Sequence, residues 1–144
     1  MFAPLNRYRT LAPFILRVVI GIIFLVHGLE KFGLLGGPGL GGVSGFFGSI
    51  GIPAAPLMAF VVAVVETLGG LALILGLGTR IASILLAIIM LVAIFAAKLS
   101  QGTGLTGPGG FELDLALLAG LLALLLLGSG PAALEQRLLG PRYT

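Results

Sequence analysis

Four apolar runs, broken by glycine-rich and charged stretches, dominate this chain and limit what it can fold into. They cover about Ala12–Phe32, Ala54–Leu77, Arg80–Leu99 and Glu112–Gly128. A helix crossing a bilayer needs about 20 mostly apolar residues, and these runs have that length or approach it. Only 9% of the 144 residues are charged while 58% are hydrophobic, against roughly 25% charged in a soluble domain. A surface so poor in charge cannot face water, so lipid must be the solvent for most of it. The sequence therefore predicts an all-α membrane protein, a bundle of four transmembrane helices in a single domain spanning 1–144.

The connections support this division. Pro53 and Pro56 suit a helix's first turn. Leu77-Gly78-Thr79 is a tight link that makes the second and third helices antiparallel neighbours. Gly128 and Gly130-Pro131 are stop signals for the fourth helix. The stretches 33–53 and 100–111 are dense in glycine, which favours irregular backbone, and are expected to be loops. The first apolar run follows Arg7 and Arg9, as a secretory signal would. It continues to His27, Glu30 and Lys31 with no small-x-small cleavage site, so it is expected to be a retained helix.

Positive charge sets the expected orientation. Arg7, Arg9, Arg17, Arg80, Arg137 and Arg142 flank one side of the bundle, and only Lys31 and Lys98 flank the other. This imbalance predicts both termini and the Gly78 hairpin in the cytoplasm, the glycine-rich loops outside, and a multi-pass place in the inner (plasma) membrane. The same reading removes nucleic acid as a partner, because the net charge of +3 is topological in origin. The lipid bilayer is the expected partner, with a protein subunit or a second copy of the chain as further ones.

Few residues offer chemistry. There is no cysteine, which excludes thiolate metal sites and dithiol redox chemistry, and one histidine cannot supply both axial ligands of a haem. No metal site and no resident cofactor are expected. Gly37-Pro38-Gly39-Leu40-Gly41-Gly42 matches G-x-G-x-x-G by letter, but no strand precedes it and no βαβ unit fits this chain.

Glu66 is the leading candidate. A charge at mid-bilayer costs about 2.5–3.5 kcal/mol on insertion scales, so something must compensate it. Ala59, Ala63, Glu66 and Gly70 fall at i, i+4, i+7 and i+11, on one face of small residues that admits a neighbouring helix. Glu66 then points into the bundle, either protonated and hydrogen-bonded or ionised against a cation such as Arg17 or His27. It can serve proton or ligand chemistry, or act as a structural lock. Arg17, Phe24, His27 and Lys31 form a broad stripe on the first helix, and His27 and Glu30 stand at a helical-neighbour spacing. Glu66, His27, Arg17, Glu30 and Lys31 are the candidate ligand-binding residues, with Glu66 and His27 the candidates for catalysis. His27 suits a proton relay or a quinone-like headgroup, or is simply satisfied by Glu30. Lys31 is expected to snorkel to the outer surface. Lys98, Glu112 and Asp114, together with Glu30 and Lys31, are expected to place a polar cluster at the outer rim, where Glu112 and Asp114 also suit a helix N-terminus.

Two stretches resemble a known family. Arg17-Val-Val-Ile-Gly-Ile-Ile-Phe-Leu-Val-His27-Gly28-Leu-Glu-Lys31-Phe32 is similar to the first helix of DoxX-like membrane proteins. The second is Val65-Glu66-Thr-Leu-Gly69-Gly70, continuing to Gly76-Leu-Gly-Thr79-Arg80. Gly51-Ile-Pro53 and Gly128-Ser-Gly130 fit as well, while the tail at Ala133-Leu134-Glu135 departs from the family's usual ending. The resemblance implies a four-helix inner-membrane protein. It also implies membership of a group in which some proteins are subunits of membrane oxidoreductase systems, including quinone-linked ones, and distant relatives are cargo receptors. On this basis the chain is expected to be a membrane subunit of a quinone-linked oxidoreductase system, with no redox cofactor site of its own. The alternative is a non-enzymatic anchor, or a lipid- or small-molecule-binding protein.

Overall fold

The computed structural model describes residues 3–140; Arg142, counted above among the topological charges, lies outside them. A 3₁₀ segment, Ala3–Tyr8, leads into α1 (Leu11–Lys31). A short helix, α2 (Gly39–Ser49), precedes α3 (Ala55–Leu75). After the hairpin comes α4 (Thr79–Val92), which runs on through a π-helical segment, Ala93–Lys98, and a 3₁₀ turn, Leu99–Gln101. The chain closes with α5 (Glu112–Leu127) and α6 (Leu134–Leu139). Among the described residues there is no strand.

Three helical stretches are long and apolar enough to cross a membrane: Leu11–Lys31, Ala55–Leu75 and Thr79–Gln101. Side chains such as Ile81 and Leu126 point outward, 68% and 80% exposed, while the interior is closed by Phe24, Leu73, Leu86, Leu121 and Leu124. Large aliphatic side chains on the outside of a helical bundle mark a surface solvated by acyl chains. The protein is therefore a helical membrane protein.

The tightest packing joins α1 to α3, and glycine makes it possible. A Cβ at Gly70 would come within 2.5 Å of the Leu25 amide nitrogen, and one at Gly21 within 2.7 Å of the Gly70 carbonyl oxygen. Backbone therefore meets backbone, the arrangement small residues permit between membrane helices. Ala59, Ala63, Glu66 and Gly70 are all buried, so the small-residue face of α3 is the one turned inward.

The hairpin closes with Gly76 in the left-handed region (φ 71°) and the Leu77 amide reaching the Ala72 carbonyl at 2.9 Å. This arrangement satisfies carbonyls that the end of α3 would otherwise leave unpaired. The tail folds back onto it. The Glu135 amide donates to the Gly76 carbonyl at 3.1 Å, and its carboxylate accepts from the Gly78 amide at 2.7 Å, at the start of α4. An acidic group is favourable at that end of a helix.

The stretch 33–53 departs from the irregular backbone expected of it, because α2 occupies its centre. Gly33, Gly36 and Gly51 keep left-handed turns at φ +82°, +78° and +82°, and the helix forms between them. Its own propensity is poor. Contact of its Val43 side with α3 supplies the stability that the glycines withhold.

Candidate functional site

Glu66 lies ten residues before Gly76, about 15 Å from the hairpin at ~1.5 Å per residue and so near the middle of a ~30 Å hydrocarbon layer. Its side chain is only 4% exposed. Its partner is Lys31, whose Nζ stands 2.6 Å from Glu66 Oε2. This differs from the pairing with Arg17 or His27 expected above, and it reverses the expectation that Lys31 snorkels outward. The close approach of α1 to α3 explains it. Gly28 lies against Thr67, so Lys31, one turn further on, begins beside α3 and its four-carbon stem reaches back to the carboxylate. Lys31 Nζ also lies 3.5 Å from the His27 carbonyl oxygen. An ammonium group has three donors, so one N–H of Lys31 has no partner among the described residues.

The pair forms part of the wall of a cavity of about 680 Å³. His27 lines the cavity as well, and so does a second ion pair, Lys98–Asp114. Lys98 also donates to the Gly110 carbonyl at 3.0 Å, tying the 102–111 loop to the end of the long helix. The π-helical turn ends on Lys98 and directs it inward; such turns re-aim side chains and recur at functional sites. The remaining walls are mostly apolar, with Phe46 and Phe47 from α2 and Ile88 and Val92 from α4. The site thus combines a compact set of charges with an apolar, partly aromatic enclosure, a composition that suits a ligand with a polar head and an apolar body.

The candidates from sequence do not all gather there. Glu66, His27 and Lys31 line the cavity, whereas Glu30 and Arg17 do not. Gly37 packs against the backbone of Glu30, and among the described residues no hydrogen bond joins Glu30 to His27. Arg17 is fully buried at the hairpin end. There its Nη1 donates to the Leu73 and Ile74 carbonyls, each at 3.2 Å, and its Nη2 to the Ala132 carbonyl at 2.7 Å. It binds the C-terminal end of α3 to the segment after α5. Lys98 and Asp114 are expected from sequence in a polar cluster with Lys31 at the outer rim; the cavity that they line with Lys31 and Glu66 is what the sequence does not foretell. The phenylalanines of α2 were missed for the same reason as α2 itself. Among the described residues no three His, Asp or Glu side chains approach closely enough to hold a metal ion.

Comparison with known proteins bears on this same region. The family model described as DoxX matches residues 12–99, which include both members of the Lys31–Glu66 pair. A Bacillus subtilis protein named "Putative oxidoreductase CatD" is 40% identical over 131 residues, covering 91% of this chain and 90% of its own length. An uncharacterized membrane protein of Mycobacterium tuberculosis is 39% identical over 134 residues, covering 85% of this chain and 78% of its own. An uncharacterized protein of Haemophilus influenzae is 35% identical over 135 residues, covering 92% and 95%. No solved structure matches the chain.

Proposed function

The chain belongs to the DoxX family, and on that premise we propose that it is a membrane subunit of an oxidoreductase system that handles a lipophilic quinone in the cavity beside Lys31 and Glu66. The observation that carries this reading is a buried ion pair with a spare donor, set in the wall of an otherwise apolar cavity. A quinone supplies two-electron carrier chemistry, which the side chains of this chain lack. In this reading the free N–H of Lys31 donates to a ring carbonyl oxygen. Glu66 keeps that ammonium in place, and His27 lines the same cavity beside the pair. Phe46 and Phe47 offer faces for the ring, and the apolar walls exclude water. The electron donor or acceptor belongs to a partner subunit. The name of the Bacillus subtilis relative supports the oxidoreductase class.

The proposal includes the membrane arrangement. α5, at 16 residues, is about 24 Å long. We count it as a fourth span with local thinning of the bilayer. Both termini and the hairpin then lie on the cytoplasmic side of the inner membrane, and the cavity in its outer half.

Mass spectrometry of the organic extract of the purified protein tests the function. Quinone should co-purify with the wild type and be lost from Lys31→Met, with that variant still folded in detergent. A wild-type extract that holds phospholipid and no quinone would replace this reading with the second one, a lipid-binding module without a redox role, which the mostly apolar cavity walls also favour.

A further inference from the structure

The cavity opens sideways. Ile88 and Val92 of α4 line it and yet remain 52% and 47% exposed, and Phe46 of α2 lines it at 48% exposure. Ile88 lies nine residues past Thr79, about 13 Å from the hairpin, close to the level of Glu66. The helical stretch that carries Ile88 and Val92 is long and apolar enough to cross a membrane. Outward-facing side chains at that depth meet acyl chains. The gap between α2 and α4 is therefore continuous with the lipid-facing surface.

α2 is the weaker side of that gap. Only Val43 is buried along its length, and left-handed glycines stand at both of its ends. Within it, a Cβ at Gly41 or Gly45 would meet nothing within 4 Å, and neither residue has a positive φ. Neither packing nor backbone conformation calls for glycine at these positions, yet each lowers helix stability relative to alanine. A short helix so built opens more readily than its neighbours.

We propose that the cavity takes its ligand laterally from the bilayer, through the gap between α2 and α4, with α2 as the wall that yields. The ligand class follows from the route. It is a membrane-dissolved amphiphile whose head reaches Lys31 and Glu66 while its tail stays among lipid chains beside Val92. This rests on the reading of the cavity as a quinone site and adds the path and the need for a tail.

Proteoliposomes loaded with a radiolabelled quinone bearing an isoprenoid tail, or with the same ring lacking the tail, provide the test. Gly41→Ala/Gly45→Ala has room for both methyl groups and should fold. It should slow uptake of the tailed quinone at least fivefold with the amount bound at equilibrium unchanged. Val92→Trp should narrow the gap and reduce uptake of the tailed probe at least tenfold more than that of the tailless one. Wild-type uptake rates for the tailed quinone in both variants would overturn the lateral route and leave the quinone site standing. Failure of the wild type to bind either probe would overturn both.

Discussion

Glu66 and Arg17 place the same burden on the bundle, a charge inside apolar helices, and meet it differently. Glu66 faces an ammonium group at 2.6 Å, whereas Arg17 makes its hydrogen bonds to backbone carbonyls and stands over the Phe14 ring, 5.4 Å from its centroid. Removing one member of a buried ion pair strands the other, and fully buried pairs lose about 3–5 kcal/mol that way. Lys31 is 19% exposed, so Lys31→Met should fall at or below the low end of that range. Lys31→Met/Glu66→Gln should regain part of the loss, because it leaves no unpaired charge. Thermal melts of the four proteins in detergent, read as a double-mutant cycle, check this. Equal losses from the double variant and the summed singles would mean that the two side chains do not interact. For Arg17, lysine is a poor substitute. A single ammonium group cannot match a planar fork directed at carbonyls of two separate segments. Arg17→Lys should leave at least one buried carbonyl unbonded, at about 1–3 kcal/mol, and its lowered melting temperature should add to that of Glu66→Gln.

At the level of whole helices, the same substitution should have opposite effects at two glycines. Gly70→Ala brings a methyl group against the Leu25 backbone, which cannot move aside, and should cost about 1–3 kcal/mol. Gly41→Ala meets open space and should raise stability by up to about 1 kcal/mol. Chemical denaturation in mixed micelles distinguishes them, and matching shifts would refute the packing described for α1 and α3. The α3 face was legible in the sequence because small residues and Glu66 recur at helical spacing on it. The three long spans were legible from hydropathy alone. Lys31 as the partner of Glu66 was not, since a lysine near a helix end can turn either way, and the direction is set by how α1 sits against α3. α2 was hidden because glycine content argues against a helix that only tertiary contact sustains. Lys98 and Asp114 were each visible at a helix end. Their meeting depends on the π-helical turn, for which the sequence carries no recognisable signal.

Across the whole molecule, the proposed orientation has a direct check. The chain has no cysteine, so single cysteines report without background. A cysteine at Gly104 should react with a membrane-impermeant maleimide added to intact cells, and one at Gly78 should react only after the cells are opened. The reverse pattern would invert the bundle and move the cavity to the cytoplasmic half. The Arg17 contacts also bear on how the protein is made. Two of its bonds go to α3, but the third crosses 115 residues to Ala132, beyond the last long helix. While the ribosome is still translating α5, that third acceptor does not yet exist, and the guanidinium in the first helix to reach the membrane must stay hydrated or lean on lipid phosphate. The first segment synthesised is thus the last to be fully secured. A chain truncated before residue 132 should keep its hydrophobic helices and still present an unfinished Arg17 to the proteases that survey the membrane.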